Sequence, residues 1–382
     1  MNGGVARHYL DHASTSPLRP EAAAAIASWL DRGVYADAGR PYEEGRIVAA
    51  AIEEAREAVA DLVGVSPRQV IFTSGGTESA NWANWAAREA DHTGPIVFSP
   101  VEHSSVRRSA ERHGPVTSIP VDHVGRTDIG SVDALLARRE TLPALVNCQF
   151  ANHQVGTVQP VGEIVEHCRR VRVPVHVDAC MAIGQTAVDL AALDAAFVSV
   201  SAHKFGGPTG VGALVVGRRT RVPPLLLGGA EERARRAGME SVLSIVGFGA
   251  VARALAAPGV LEDAAKRARF LTEAIAEAAL GVEGVSEYGD PVGRVPQLVC
   301  FGVPGVRAEG VVMGLDQAGV AVHSGSACAS EAFKPSPALA AMGVDADRSL
   351  RCSVGWSTTD EDVAAFASIF PTVVGRLRSL AL

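Results

Sequence analysis

The chain has 382 residues, 47% hydrophobic and 20% charged, with a formal net charge of -7. That length suffices for two domains and that composition belongs to a well-packed globular protein. The acidic balance argues against a dedicated nucleic-acid binder, no apolar run is expected to span a membrane, and the first residues carry no signal-peptide core. Six cysteines, at 148, 168, 180, 300, 328 and 352, include no C-x-x-C pair. Zinc and redox-dithiol chemistry are therefore disfavoured, and reduced thiols of a cytoplasmic protein are expected.

In chain order, residues 8–20 read as an extended segment with a polar turn, and residues 43–64 as a helix ending at Gly64. Short apolar runs follow at 69–73, 96–99, 116–121, 145–150, 173–177, 197–200 and 213–216. Helical stretches at 78–90, 104–113 and 161–170 separate several of them. This alternation predicts an α/β domain around a mostly parallel sheet, with ligands at the C-terminal strand ends. Residues 218–238 read as a loop leaving the sheet, 242–256 as a helix, and 262–279 as a helix opening a second part. Strand-like runs at 297–302 and 320–323 and a helix at 361–380 complete it.

Polar motifs fall where the strands end. T-S-G-G-T-E-S-A-N, residues 73–81, joins a strand to a helix, where free N–H groups and the helix dipole attract an anion. Gly75 and Gly76 permit close approach and Thr77 adds a hydroxyl, although a plain turn capped by Thr77 has the same local sequence. His103, in V-E-H-S-S-V, reads by itself as a capping or surface residue, and as a site group only through the motifs around it. Asp178 ends an apolar run and needs a partner, which a pyridinium nitrogen, a salt bridge or a helix end would provide. Lys204, in S-A-H-K-F-G-G, reads as a surface lysine or as a partly desolvated amine that attacks an aldehyde. One cofactor, pyridoxal phosphate, accounts for three of these: phosphate at Gly76 and Thr77, ring nitrogen at Asp178, aldehyde at Lys204. Cys328, in H-S-G-S-A-C-A-S, is an accessible thiol or an incidental small hydrophobe. Arg351 is a carboxylate clamp or a surface arginine.

The motif order T-S-G-G-T-E-S, E-H, A-N-H-Q-V-G-T-V-Q-P, H-V-D-A, S-A-H-K, S-G-S-A-C and R-C-S-V-G resembles the cysteine desulfurases of the NifS and IscS type, within the class V aminotransferases of fold type I. The resemblance runs from residues 9–17 to 375–380. It implies a large pyridoxal-phosphate domain with a seven-stranded mostly parallel sheet over 17–256. It also implies a smaller α+β domain formed by 1–16 with 257–382. Lys204 would bind the cofactor aldehyde. His103 would stack on the ring and move protons, and Asp178 would pair with the ring nitrogen. Gly76, Thr77, Ser201 and His203 would hold the phosphate, His153 would stand at the cofactor's phenolic oxygen, and the preceding Asn152 would also bind the cofactor. Arg351 would grip the substrate carboxylate. Cys328 would take sulfur from L-cysteine as a persulfide, leaving L-alanine. A homodimer and a sulfur-acceptor protein complete the expectation, with no direct nucleic-acid or membrane binding.

The chain departs from that pattern in places. His153 stands for an asparagine, Met181 for a glutamine, Met239 for a threonine that reaches the neighbouring subunit's phosphate, Asp37 for an asparagine, Tyr42 for a histidine and Trp356 for an arginine. Methionine replaces no polar contact, so a looser cofactor or a slower enzyme is expected. Two further readings stand beside the desulfurase: a selenocysteine lyase or related enzyme that does not need Cys328, and a sulfur-relay or scaffold protein with a degraded cofactor site. Acceptors considered are an iron–sulfur scaffold, a tRNA-thiolation enzyme and a DNA phosphorothioation system. The short tail after G-R-L-R-S-L leans towards a dedicated acceptor.

Overall fold

A computed structural model describes residues 6–90, 93–325 and 336–380. After a two-residue strand β1, His8–Tyr9, seven strands follow from one stretch of chain. They are β2 Val70–Thr73, β3 Ile96–Phe98, β4 Val116–Ser118, β5 Leu145–Gln149, β6 Val175–Asp178, β7 Phe197–Ser201 and β8 Gly212–Val216. They form one sheet in the order β2-β8-β7-β6-β5-β3-β4. Strands β4, β3, β5, β6 and β7 run parallel, and β8 runs against both β7 and β2. Strands β2, β5, β7 and β8 are buried along their whole length, the pattern of a sheet covered on both faces.

The second sheet has the order β12-β13-β10-β9 and is antiparallel, built from β9 Ser286–Tyr288, β10 Leu298–Gly302, β12 His323–Ser324 and β13 Ser349–Ser353. Strand β11, Val320–Ala321, pairs in parallel with β1, so the start of the chain is stitched onto its last third. Further stitches are Leu10 N–H on Ala321 O and Ser353 N–H on Leu10 O. Each sheet has its own core. Trp29, Val59, Phe72, Val177, Phe205 and Phe248 belong to the first, and Leu10, Leu271, Phe301, Phe366 and Phe370 to the second.

The helix Glu43–Val63 shows why these segments fold as they do. Val48, Ile52, Ala55, Val59 and Val63 recur on one buried face, and Gly64 at φ 71° closes the last turn by donating to Ala60 and Asp61.

The structure adds detail to the expected elements at three places. Residues 20–32, which carried no assignment, form the helix Pro20–Arg32, with proline in its first turn and Gly33 at φ 63° after its end. The run at 320–323 is two short strands that pair with different partners. The helix Asp360–Leu380 is long and apolar enough, by length and composition, to cross a membrane. It is apolar because Val363, Phe366, Phe370 and Val374 face the second core.

Candidate active site

The C-terminal ends of β2, β5, β6 and β7 meet at one edge of the large sheet, where Thr73, Gln149, Asp178 and Ser201 stand. A cavity of about 520 Å³ opens there and brings together Gly76, Thr77, His103, His153, Asp178, Ser201, His203 and Lys204. Its anion side is backbone. Gly75 bridges from β2 to the helix Gly76–Glu89 at φ 143°, and no side chain caps that helix. A Cβ on Gly76 would lie 2.5 Å from Cys180 Sγ, so any larger residue would force Cys180 or the loop to shift. The free end of a 14-residue helix beside Thr77, Ser201 and His203 has the donors and dipole that a phosphate needs.

Lys204 sits in the 3-10 turn Ala202–Phe205 that continues β7. Its Nζ donates to Ala13 O at 2.7 Å and Ser14 O at 3.0 Å. Burial, and then the charge of Arg351, pull this amine below the ordinary lysine range. Asp178 ends β6, and its Oδ1 accepts from Cys180 N at 3.1 Å. Burial and then the adjacent lysine hold His203 near pKa 4, so it is a neutral group at 3.2 Å from Thr15 Oγ1. His103 caps the helix Ser104–His113 by accepting from Ser105 N, and its ring meets that of His153 edge-on at 5.3 Å. Burial, then His103, keeps His153 well below the usual histidine range.

A second, smaller chamber of about 150 Å³ shares His103, His153 and Lys204 with the first. Its other walls include Ser14, Glu102, Gln154, His323 and Arg351. Arg351 is 3% exposed on β13. It donates from NH1 to His153 O at 2.8 Å, and from NH2 to Asp11 Oδ1 and Ser14 Oγ, both at 2.8 Å. Glu102 accepts from Gln149 N at 2.6 Å. Burial, and then the charge of Asp178, push its carboxyl up to about 8, so it holds a proton at neutral pH.

The structure thus brings together every expected site residue except two. Asn152 is turned away from both chambers. Its Oδ1 accepts from the N–H groups of Gln154 and Val155, and its Nδ2 donates to Val101 O. It shapes the turn that presents His153. Cys328 lies outside the described residues, and the described chain resumes at Ser336, which lines the smaller chamber. Met181 lines the larger cavity and Met239 is exposed. Asp37 pairs with Arg40, and Trp356 donates to Pro17 O beneath Arg19.

Several site groups carried no role on sequence. Glu102 and His323 stood inside motifs already singled out, beside His103 and five residues before Cys328. Asp11 and Ser14 had no local signal, because they act through Arg351, some 340 residues away. Pyridoxal phosphate fits this set. The glycine cradle suits its phosphate, the strand-end carboxylate its ring nitrogen, and the buried amine its aldehyde.

Comparison with known proteins gives the same reading. The aminotransferase class-V family matches residues 8–366. The IscS-like cysteine desulfurase of Mycobacterium tuberculosis is 39% identical over 390 residues, covering 98% of each chain. A solved NifS-like protein superposes with a TM-score of 0.88 at 28% identity, covering 97% of this chain and 100% of that one. A structure of SspA in complex with cysteine superposes with a TM-score of 0.77 at 25% identity, covering 91% of this chain and 98% of that one.

Proposed function

The chain belongs to the class-V aminotransferase family, and from that premise we propose that it is a pyridoxal-phosphate-dependent cysteine desulfurase converting L-cysteine to L-alanine. The observation that carries this reading is the junction of the two chambers. A cavity with a free helix N-terminus and a small polar chamber with a buried arginine meet at one buried lysine amine. Relatives named cysteine desulfurases, and a similar structure holding cysteine, support the same substrate.

In this reading Gly76, Thr77, Ser201 and His203 hold the cofactor's phosphate, Asp178 its ring nitrogen and Lys204 its aldehyde end. When bound, pyridoxal phosphate supplies an electron sink for the pair left at the substrate's α-carbon. Arg351 orients the substrate by its carboxylate, with Nε the nitrogen that has no partner in the protein. Lys204 Nζ, easier to deprotonate than an ordinary lysine, takes the α-proton. His103 is placed to relay protons between the chambers. Cys328, as thiolate, attacks the substrate sulfur. An S–S bond forms as the C–S bond breaks, a proton is delivered to the β-carbon, and the proton held by Lys204 returns to the α-carbon to complete alanine. The persulfide passes to an acceptor protein serving iron–sulfur assembly, tRNA thiolation or DNA phosphorothioation.

We assign the large unit to residues 17–256 and the small one to 1–16 with 257–382. We take the working enzyme to be a cytoplasmic homodimer.

The test is release of alanine and sulfide from L-cysteine with a thiol reductant. Wild type is expected to give equal amounts, and Cys328→Ala almost none. Full alanine release by Cys328→Ala would overturn the persulfide step and promote the lyase reading. A colourless, inactive wild type would mark a degraded cofactor site.

A further inference from the structure

The smaller chamber is lined by groups the protein leaves unsatisfied. Glu102 Oε2, His153 Nδ1, Gln154 Oε1, His323 Nδ1 and Arg351 Nε are all buried without a hydrogen-bond partner, and all five residues line it. Three of them, Glu102, Gln154 and Arg351, are at least 95% buried, with exposures of 2%, 5% and 3%. Buried polar atoms without partners are costly, so a chamber that keeps several is built for a ligand that pairs them. The guanidinium nitrogen requires an acceptor, which a carboxylate supplies. The other atoms chiefly require donors.

Among these, His323 is the one placed to meet the substrate's side chain. It lies on β12 directly across from Arg351 on β13. Side chains opposite each other in an antiparallel pair stand about 4.5–5.5 Å apart at Cβ. A ligand held by its carboxylate on Arg351 is therefore within one side chain's reach of the imidazole. The alternatives face other duties. His153 packs against His103 and walls the larger cavity as well. Gln154 belongs to the turn that Asn152 ties together. Glu102 is protonated at neutral pH and so has a donor of its own. Only His323 lies on β12, five residues before Cys328 in the sequence. Burial, and then the charge of Arg351, press its pKa to about 4, so the ring is neutral and one nitrogen is an acceptor.

Resting on the desulfurase reading above, we propose that His323 recognises the substrate's side chain. Its imidazole accepts a hydrogen bond from the thiol S–H, and the chamber thereby selects cysteine over an amino acid of the same shape with no side-chain donor. His323 is thus a specificity-determining residue.

The experiment compares L-cysteine with L-2-aminobutyrate, in which a methyl group replaces the thiol. The holoenzyme carries Cys328→Ser, so that bound cysteine is not turned over by sulfur transfer. Dissociation constants come from titrating the cofactor's absorbance and, independently, from calorimetry. With His323 intact, cysteine is expected to bind about tenfold tighter than aminobutyrate, the weight of one net hydrogen bond. His323→Ala should bring that ratio close to one while leaving aminobutyrate affinity within twofold. His323→Gln, which retains an acceptor, should recover part of the preference. A ratio that survives His323→Ala overturns the inference. So does an equal loss of affinity for both ligands, which would mark a merely structural role. Failure of the His323-intact enzyme to bind either amino acid would instead sink the desulfurase reading on which the inference rests.

Discussion

The two walls of the site are built in opposite ways. On the large-sheet side, the ends of neighbouring strands deliver the phosphate loop, Asp178 and Lys204 from a stretch within residues 73–204. The anion end of that wall is backbone, where Gly75 at φ 143° and Gly76 beside Cys180 shape the loop. On the small-sheet side, Arg351 is held by Asp11 and Ser14 from the start of the chain and by the carbonyl of His153. That wall consists of side chains, several with unsatisfied polar atoms. On the proposed function the first wall holds the cofactor and the second the substrate. Cofactor retention and substrate affinity are therefore separable properties.

Glu102 probes how far the two walls feel each other, because it lines the small chamber while Asp178, in the large one, helps raise its pKa. Below about 4.5 the folded and unfolded chains both hold its proton. Between about 4.5 and about 8 the unfolded chain releases the proton and the folded chain keeps it, so stability falls as pH rises; above about 8 both are ionised. Replacing Glu102 with Gln should remove this loss, worth about tenfold in the unfolding constant per pH unit across that window. Urea unfolding of both proteins at pH 5 and pH 8 measures it, and parallel losses in the two would show that Glu102 is not the source.

Arg351→Lys keeps the charge and loses the fork. The KM for L-cysteine should rise by up to about a hundredfold, following roughly 1.5–3 kcal/mol per charged hydrogen bond. Cofactor content, read by absorbance after dialysis, should stay unchanged. Gly76→Ala is the reciprocal case, since its methyl collides with Cys180 Sγ. Overpacking of roughly 1–3 kcal/mol should weaken cofactor retention about tenfold or somewhat more, with the KM of fully loaded enzyme near normal. If either variant moved both properties equally, the division between the walls would be wrong.

The same division decides what the sequence could reveal. The buried parallel strands announce themselves as apolar runs, and the glycine loop, Asp178 and Lys204 each stand at the end of one. Strand β13, S-L-R-C-S, has no such run, because its central Arg351 is buried on the strength of partners elsewhere in the chain. The helix Pro20–Arg32 escaped because its alanine-rich turns bury only Ala22 and Trp29, which leaves almost no periodic stripe. Asn152 and His153 are adjacent, and only the turn that consumes the Asn152 side chain tells which of them faces the cavity. His323 was visible in its motif, but register with Arg351 is a property of paired strands.

The stitch between Asp11 and Arg351 also has a meaning in time. During synthesis at about 5–20 residues per second, roughly 20–70 s separate the appearance of these two partners. The glycine cradle and Lys204 have been synthesised by residue 216, and Arg236, which pairs with Glu78, and Phe248 of the large core follow soon after, whereas the carboxylate grip has to wait for almost the whole chain. The wall around the buried arginine is therefore the last part of the site that synthesis can complete.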